Sequence, residues 1–279
     1  MMKFFHRLVM FVALLALGSS AWAAGPALGQ GAQLQTRNAT ANEVLNRAVK
    51  PGFWSDATKN DYPLGKYLYD SIWLRWIESS AKPGYMVLIT GTGNQNFNHD
   101  VVSDIIINKQ DRIDDMVDGA ESVVFLGGGT DPRNGLPYRD SFYFLDMGAF
   151  YATYAQRMYR LDGADGRSFM FFEKLDSSFV DAGTWANYEQ VMQQASDSVD
   201  RRSVFGSIVP VEQVFGMFMV NPDDTQESRV TFMAKLGFSS DNWVASLGSK
   251  MPVVLRAGLS SGFDACVQIA EGEQRARGL

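Results

Sequence analysis

Residues 228–238, SRVTFMAKLGF, alternate along the whole run. Val230, Phe232, Ala234, Leu236 and Phe238 fall on one side, and Arg229, Thr231, Met233 and Lys235 on the other. Successive side chains of a β-strand point to opposite faces, so this period predicts a strand half-buried in an antiparallel sheet. Neighbouring stretches have the same character. FYFLDMGAFYATYAQRMYRL is long and aromatic, the turn DGADG follows it, and RSFMFFEKL comes next. VFGSIVPVEQVFGMFMV is a further apolar stretch, closed by Asn221-Pro222-Asp223-Asp224. Residues 141–238 therefore read as a succession of strands, with a polar connection at 174–194 and a helix within it at Ala186 to Gln194.

The amino terminus predicts the compartment. Lys3, His6 and Arg7 precede the apolar run Leu8 to Leu17, and Ala21-Trp22-Ala23 forms an A-x-A end. That tripartite pattern is a secretory signal peptide over residues 1–23, cleaved after Ala23, and the expected destination is the periplasm or the exterior. The apolar run is too short for the roughly 20 residues of a spanning helix. Loss of Lys3 and Arg7 leaves 23 of the 25 basic residues against 31 acidic ones. An acidic chain argues against nucleic acid as a partner and allows at most transient contact with a membrane surface. Cys266 is the only cysteine, so no intramolecular disulfide forms, and stability must come from an apolar core.

Residues 24–39 are small and polar and read as a flexible lead, and residues 40–84 as a helical extension. Thr40 and Glu43 have capping-box spacing, and YPLGKYLYDSIWLRWIESS reads preferentially as helix, with an extended segment as the alternative. YMVLIT at 85–90 is a compact strand. Val102, Ile105 and Ile106, then Ile113, Met116 and Val117, have helical spacing before a strand at Ser122 to Leu126. At the far end Pro252 opens a helix to about Gly272. Its apolar stripe is Met251, Leu255, Leu259, Phe263, Cys266, Val267 and Ala270.

Several motifs promise chemistry that the sequence does not sustain. Gly258-Leu259-Ser260-Ser261-Gly262 spells G-x-S-x-G, yet Leu255, Leu259 and Phe263 keep helical register straight through it, and no histidine follows His99. His99 is the only histidine outside the leader, which excludes paired-histidine zinc sites and reads best as a helix-start residue. Asp111, Asp114, Asp115 and Asp118 lack the spacing of a calcium loop. GTGNQN and FLGGGTD lack the phosphate-loop patterns and read as turns between strands. No metal, cofactor or catalytic residue is expected. The aromatic and methionine residues on the strands read equally as core or as the lining of a cavity.

Two stretches carry a resemblance to a known family. HDVVSDIIINKQDRIDDMVDGAESVVFLG is similar to the passage of short helices into a strand in the START-like (SRPBCC, helix-grip) superfamily. DNWVASLGSKMPVVLRAGLSSGFDACVQI resembles its closing stretch of Trp, Pro and long helix. The resemblance covers residues 85–272. It implies an α+β fold in which a curved antiparallel sheet wraps around a long C-terminal helix, as one domain over 85–274 with a tail at 275–279. It also implies an apolar cavity between sheet and helix. The lining candidates are Phe144, Tyr151, Tyr154, Phe171, Phe218, Phe232, Met251, Leu255, Leu259 and Phe263. The function expected is an exported binding protein for a lipid or other apolar small molecule. The alternatives are a polyketide-cyclase-like enzyme using Tyr154, Asp146 or Glu173, or an envelope interaction module without a cavity.

Overall fold

The structure is a computed structural model that describes residues 33–48, 72–78, 85–91, 98–108, 120–146, 150–200, 207–222, 230–238, 269 and 272–278. The strands are β1 (Ile72–Glu78), β2 (Tyr85–Gly91), β3 (Ala120–Thr130), β4 (Pro137–Asp146), β5 (Tyr151–Asp162), β6 (Ser168–Lys174), β7 (Ile208–Val220) and β8 (Val230–Phe238). Among the described residues they form one sheet in the order β1-β2-β8-β7-β6-β5-β4-β3, every neighbour antiparallel. A short parallel pairing of Tyr151–Thr153 with Ile208–Pro210 is added where β5 meets the start of β7. The alternating run at 230–238 is an interior strand, paired with β2 on one side and β7 on the other.

Turn chemistry fixes the long hairpins. Between β3 and β4, Asp131 N donates to Leu136 O at 2.8 Å, and Gly135 takes a left-handed φ of 71° that a side chain would strain. Between β5 and β6 the expected DGADG turn is present, with Gly163 N donating to Arg167 O and Gly166 at φ 83°.

The helices are α1 (Ala39–Ala48), α2 (His99–Asn108) and α3 (Ala182–Ser198), and a 3-10 turn spans Ser177–Phe179. Asn98 caps α2, accepting from the amides of Asp100 and Val101, and Asp181 caps α3, accepting from Gly183 and Thr184. The cap of α1 is Asn38, which accepts from Ala41 N at 3.1 Å, rather than the expected Thr40–Glu43 box. No helix among the described residues is long and apolar enough to cross a membrane.

Three further readings change. Within YPLGKYLYDSIWLRWIESS the described residues Ile72–Glu78 are strand β1, the extended alternative: all seven pair with β2, and backbone pairing outweighs the helical spacing of Ile72 and Trp76. The sheet therefore begins before residue 85. Residues 33–38, within the expected lead, lie along α1. Leu34 exchanges two 2.8 Å hydrogen bonds with the Asn46 amide, Thr36 bonds Asn42, and Leu34 is 1% exposed. The glycines of FLGGGTD stand inside β3, not in a turn; a Cβ at Gly127 would overlap the Tyr188 hydroxyl of α3. The leader, the Asp111–Asp118 cluster, Ser260 and Cys266 lie outside the described residues. So does most of the expected helix from Pro252 to Gly272; Ile269 is helical, and a described helical stretch at 272–277 runs past the expected end.

Cross-strand register sorts side chains onto two faces, since residues directly opposite share a face. On the first face Leu34, Ala41 and Leu45 pack with Tyr159, Leu161, Phe169, Phe171, Phe215, Met217 and Met219. Beside them Phe142, Phe144, Tyr151 and Ala155 pack beneath Tyr188 and Ala195 of α3. The second face carries Tyr143, Tyr154, Gln156, Met158, Met170, Phe172, Val214 and Phe218, and α2 lies against β6 and β7.

Candidate functional site

The second face is largely apolar, with neutral polar groups at its tyrosines and the cations Arg139, Arg160 and Lys174 on the same side in the register. Tyr143 and Tyr154 stand directly opposite each other on β4 and β5, and their rings stack at 4.8 Å with 11° between planes. Gln156 Nε2 donates to the Tyr143 hydroxyl at 3.0 Å. Burial pushes both phenols well above the ordinary tyrosine value, so both stay protonated and neutral at any physiological pH. Farther along, Phe172 and Phe218 meet at 6.2 Å, beside Met158 and Met170 in the register. Arg139 is the buried cation of this face. Its Nη1 donates to Ile107 O at 3.1 Å and Asn108 Oδ1 at 3.3 Å at the end of α2, and its guanidinium lies 4.3 Å above the Phe125 ring. A cation at the carbonyl end of a helix is favourable, so Arg139 fastens α2 across the sheet.

The first face holds a buried charge network. Arg157 grips Asp140 through two 2.7 Å hydrogen bonds, reaches Asp131 at 3.4 Å, and lies 3.6 Å above the Tyr138 ring. Tyr188 of α3 donates to Asp140 at 3.2 Å. Arg133 binds Asp131 and donates to the Tyr159 hydroxyl at 2.7 Å. That hydroxyl lies 3.1 Å from Asp131 Oδ2 and 3.0 Å from Glu173 Oε1, while Glu173 Oε2 accepts from Arg37 N at 2.7 Å. Burial acts to raise Asp131, but the hydrogen bonds and charge of Arg133, with Tyr159, outweigh it and bring it to about 2. Burial prevails at Glu173 and Asp140, which are both raised despite Arg37 and Tyr159 at the first and Arg157 at the second. A phenol has one proton to give. Its hydroxyl therefore donates to Asp131 or to Glu173, one at a time, while its oxygen accepts from Arg133.

The ten lining candidates do not share a face. Tyr154 and Phe218 are on the second face, and Phe232 stands opposite Phe218 in the register. Phe144, Tyr151 and Phe171 are on the first face, each fully buried under α1 or α3. Met251, Leu255, Leu259 and Phe263 lie outside the described residues. The acid–base set divides likewise: Asp146 and Glu173 share the first face, opposite to Tyr154. Sequence reasoning missed Arg157, Asp140, Asp131 and Tyr188. The available signal was a charge at an inward position of each of three adjacent strands: Asp140, Arg157 and Glu173. Among the described residues no group of His, Cys, Asp and Glu is arranged to hold a metal.

The strand order, the helix between β2 and β3 and the two-faced sheet define an α+β, START-like fold. Human STARD10 superposes with a TM-score of 0.50 at 9% identity, over 90% of this chain and 87% of that one. A STAR-related lipid transfer protein from Xanthomonas axonopodis gives 0.46 at 11% identity, over 74% of this chain and 96% of that one. The Zhui aromatase/cyclase from a Streptomyces gives 0.37 at 13% identity, with the same two coverages. No family model matches the sequence, and no curated relative matches it.

Proposed function

We propose that this chain is an exported binding protein that holds a lipid or other apolar small molecule between the second face of the sheet and the C-terminal helix. The observation that carries the reading is the division of chemistry between the faces. The first face is filled by two helices and a buried network of ion pairs and hydrogen bonds. The second combines aromatic rings, methionines and neutral phenols, the composition of an adaptable apolar site. Each methylene moved out of water contributes about 0.8 kcal/mol. A twelve-carbon chain thus gains roughly 9 kcal/mol, enough to exceed the lower estimates of association cost, about 4 kcal/mol, without a charged anchor.

The cyclase-like alternative needs an acid and a base converging on one substrate, and Tyr154 is separated by the sheet from Asp146 and Glu173. The carrier reading is therefore preferred. The test is native mass spectrometry and solvent extraction of protein purified from its own compartment, with the intact mass reporting cleavage after Ala23. A co-purifying apolar molecule is expected. Empty protein that also fails to bind a fluorescent fatty acyl probe would overturn the reading.

A further inference from the structure

Among the described residues β3 is an outer strand of the sheet, with β4 on one side and no strand on the other. An open strand edge is a template for another strand, and proteins blunt such edges with lysine, proline or a bulge. From Ser122 to Thr130 this edge holds no charge and no proline, and its one bulge lies between Phe125 and Gly127. It is open to solvent. Gly128, Gly129 and Thr130 are exposed, and Phe125, at 51%, is the most exposed large apolar side chain among the described residues. The Phe125 ring rests on the Arg139 guanidinium at 4.3 Å, so it is already held beside the edge and loses little freedom when a second surface covers it.

We infer that β3 pairs antiparallel with β3 of a second copy of this chain, about a two-fold axis at Phe125, joining two sheets into one. The inference is independent of the carrier reading. The occupant follows from the charge pattern of the edge. Self-pairing in this register sets Phe125 against Phe125, an aromatic pair, and Glu121 against Gly129, so no two charges of the strands are opposed. The axis stands perpendicular to the sheet, so α3, which lies over β3 and β4, is on the first face in both copies. α3 carries Glu189 and Asp197, is capped by Asp181 and has no basic residue. The two copies of α3 therefore repel weakly across the axis, and salt screens that repulsion without weakening the strand contact.

Sedimentation velocity of the full mature chain should show a weak monomer–dimer equilibrium. Two paired strands cover less than the roughly 1,200 Å² of a standard interface, so a dissociation constant of roughly 1–100 μM is expected. The dimer should tighten as sodium chloride rises. Phe125→Lys opposes two ammonium groups and should weaken it at least roughly tenfold, whereas Phe125→Tyr should stay within about threefold of the wild type. In a Cys266→Ser background, which removes the only cysteine, Phe125→Cys should form an intermolecular disulfide on mild oxidation. Glu121→Cys should not, because only a residue on the axis meets its own copy. A chain that is monomeric at every concentration overturns the inference; if it then binds an acetylated peptide of residues 120–130, the edge takes a foreign strand instead. A dimer that survives Phe125→Lys, weakens with salt, or cross-links equally from both positions also overturns it. Should Phe125→Lys not fold, the cross-linking pair decides.

Discussion

Replacing Arg157 with Met is the sharpest test of how the first face is held together. Methionine fills much of the volume and keeps the contact with Tyr138 apolar, so the substitution removes chiefly the charge and its hydrogen bonds. The Arg157 side chain is 2% exposed and that of Asp140 is 0% exposed, and the two 2.7 Å bonds between them are bidentate. Exposed ion pairs contribute about 0–1 kcal/mol, whereas deleting one partner of a buried pair costs about 3–5 kcal/mol because the other charge is stranded. Burial decides which range applies, so the expected loss is about 3–5 kcal/mol, a large part of the roughly 5–15 kcal/mol that holds a domain folded. The loss should also depend on pH. Asp140 is already raised by burial against the pull of Arg157, and without Arg157 it rises further. A folded-state pKa above the unfolded value gives stability that is present at low pH and lost as pH rises through the folded value. The penalty should therefore be larger at pH 8 than at pH 5. Urea unfolding at both pH values measures it, and the double variant Arg157→Met with Asp140→Leu should recover most of the loss. A single-variant loss below about 1 kcal/mol, or one that does not change with pH, would refute the buried-pair reasoning.

Glu173→Gln replaces a carboxyl whose neutral form is favoured by burial with a neutral amide of the same shape. Glu173 is raised from 4.5, so its favourable contribution is complete below that pH and declines as pH rises toward the folded value. The variant should match the wild type near pH 4 and exceed it increasingly at higher pH; a stability difference independent of pH would show that folding does not raise Glu173. Gly127→Ala places a methyl against the Tyr188 hydroxyl and should cost roughly 1–3 kcal/mol in thermal or urea melts. The cost should shrink in a Tyr188→Phe background, and an equal cost in both backgrounds would locate the clash elsewhere. Leu34→Ala should cost about 2–5 kcal/mol if residues 33–38 are seated as described, and within about 0.5 kcal/mol if they are not.

The strands from 137 to 238 were legible because each carries its own evidence: alternation at Val230–Phe238, aromatic density in β5 and β6, and glycines at the turns. β1 was not, because Leu68, Ile72 and Trp76 fit a helix locally and only pairing with β2 distinguishes the alternatives. The lead looked flexible because its partners are remote. Leu34 is fixed by Asn46 twelve residues on, and Arg37 by Glu173 on β6. The lining candidates were half separable in advance. Tyr151 and Tyr154 are three residues apart on one strand, so period two already assigns them to opposite faces. Matching either to Phe171 or Phe218 requires cross-strand register, which strand periodicity does not contain. The charge network was illegible for the same reason, since Asp131, Asp140, Arg157, Glu173 and Tyr188 come from a turn, three strands and a helix.

The two faces are mechanically coupled even though their chemistry is opposite. Asp140 and Arg157 are directly opposite on β4 and β5, and so are Tyr143 and Tyr154, three residues farther along and about 10 Å away. The guanidinium–carboxylate fork tolerates little displacement, so it fixes the register of these two strands from the first face. A slip of one residue would carry Tyr154 through to the filled side. The network on the first face therefore determines which side chains of β4 and β5 the second face presents.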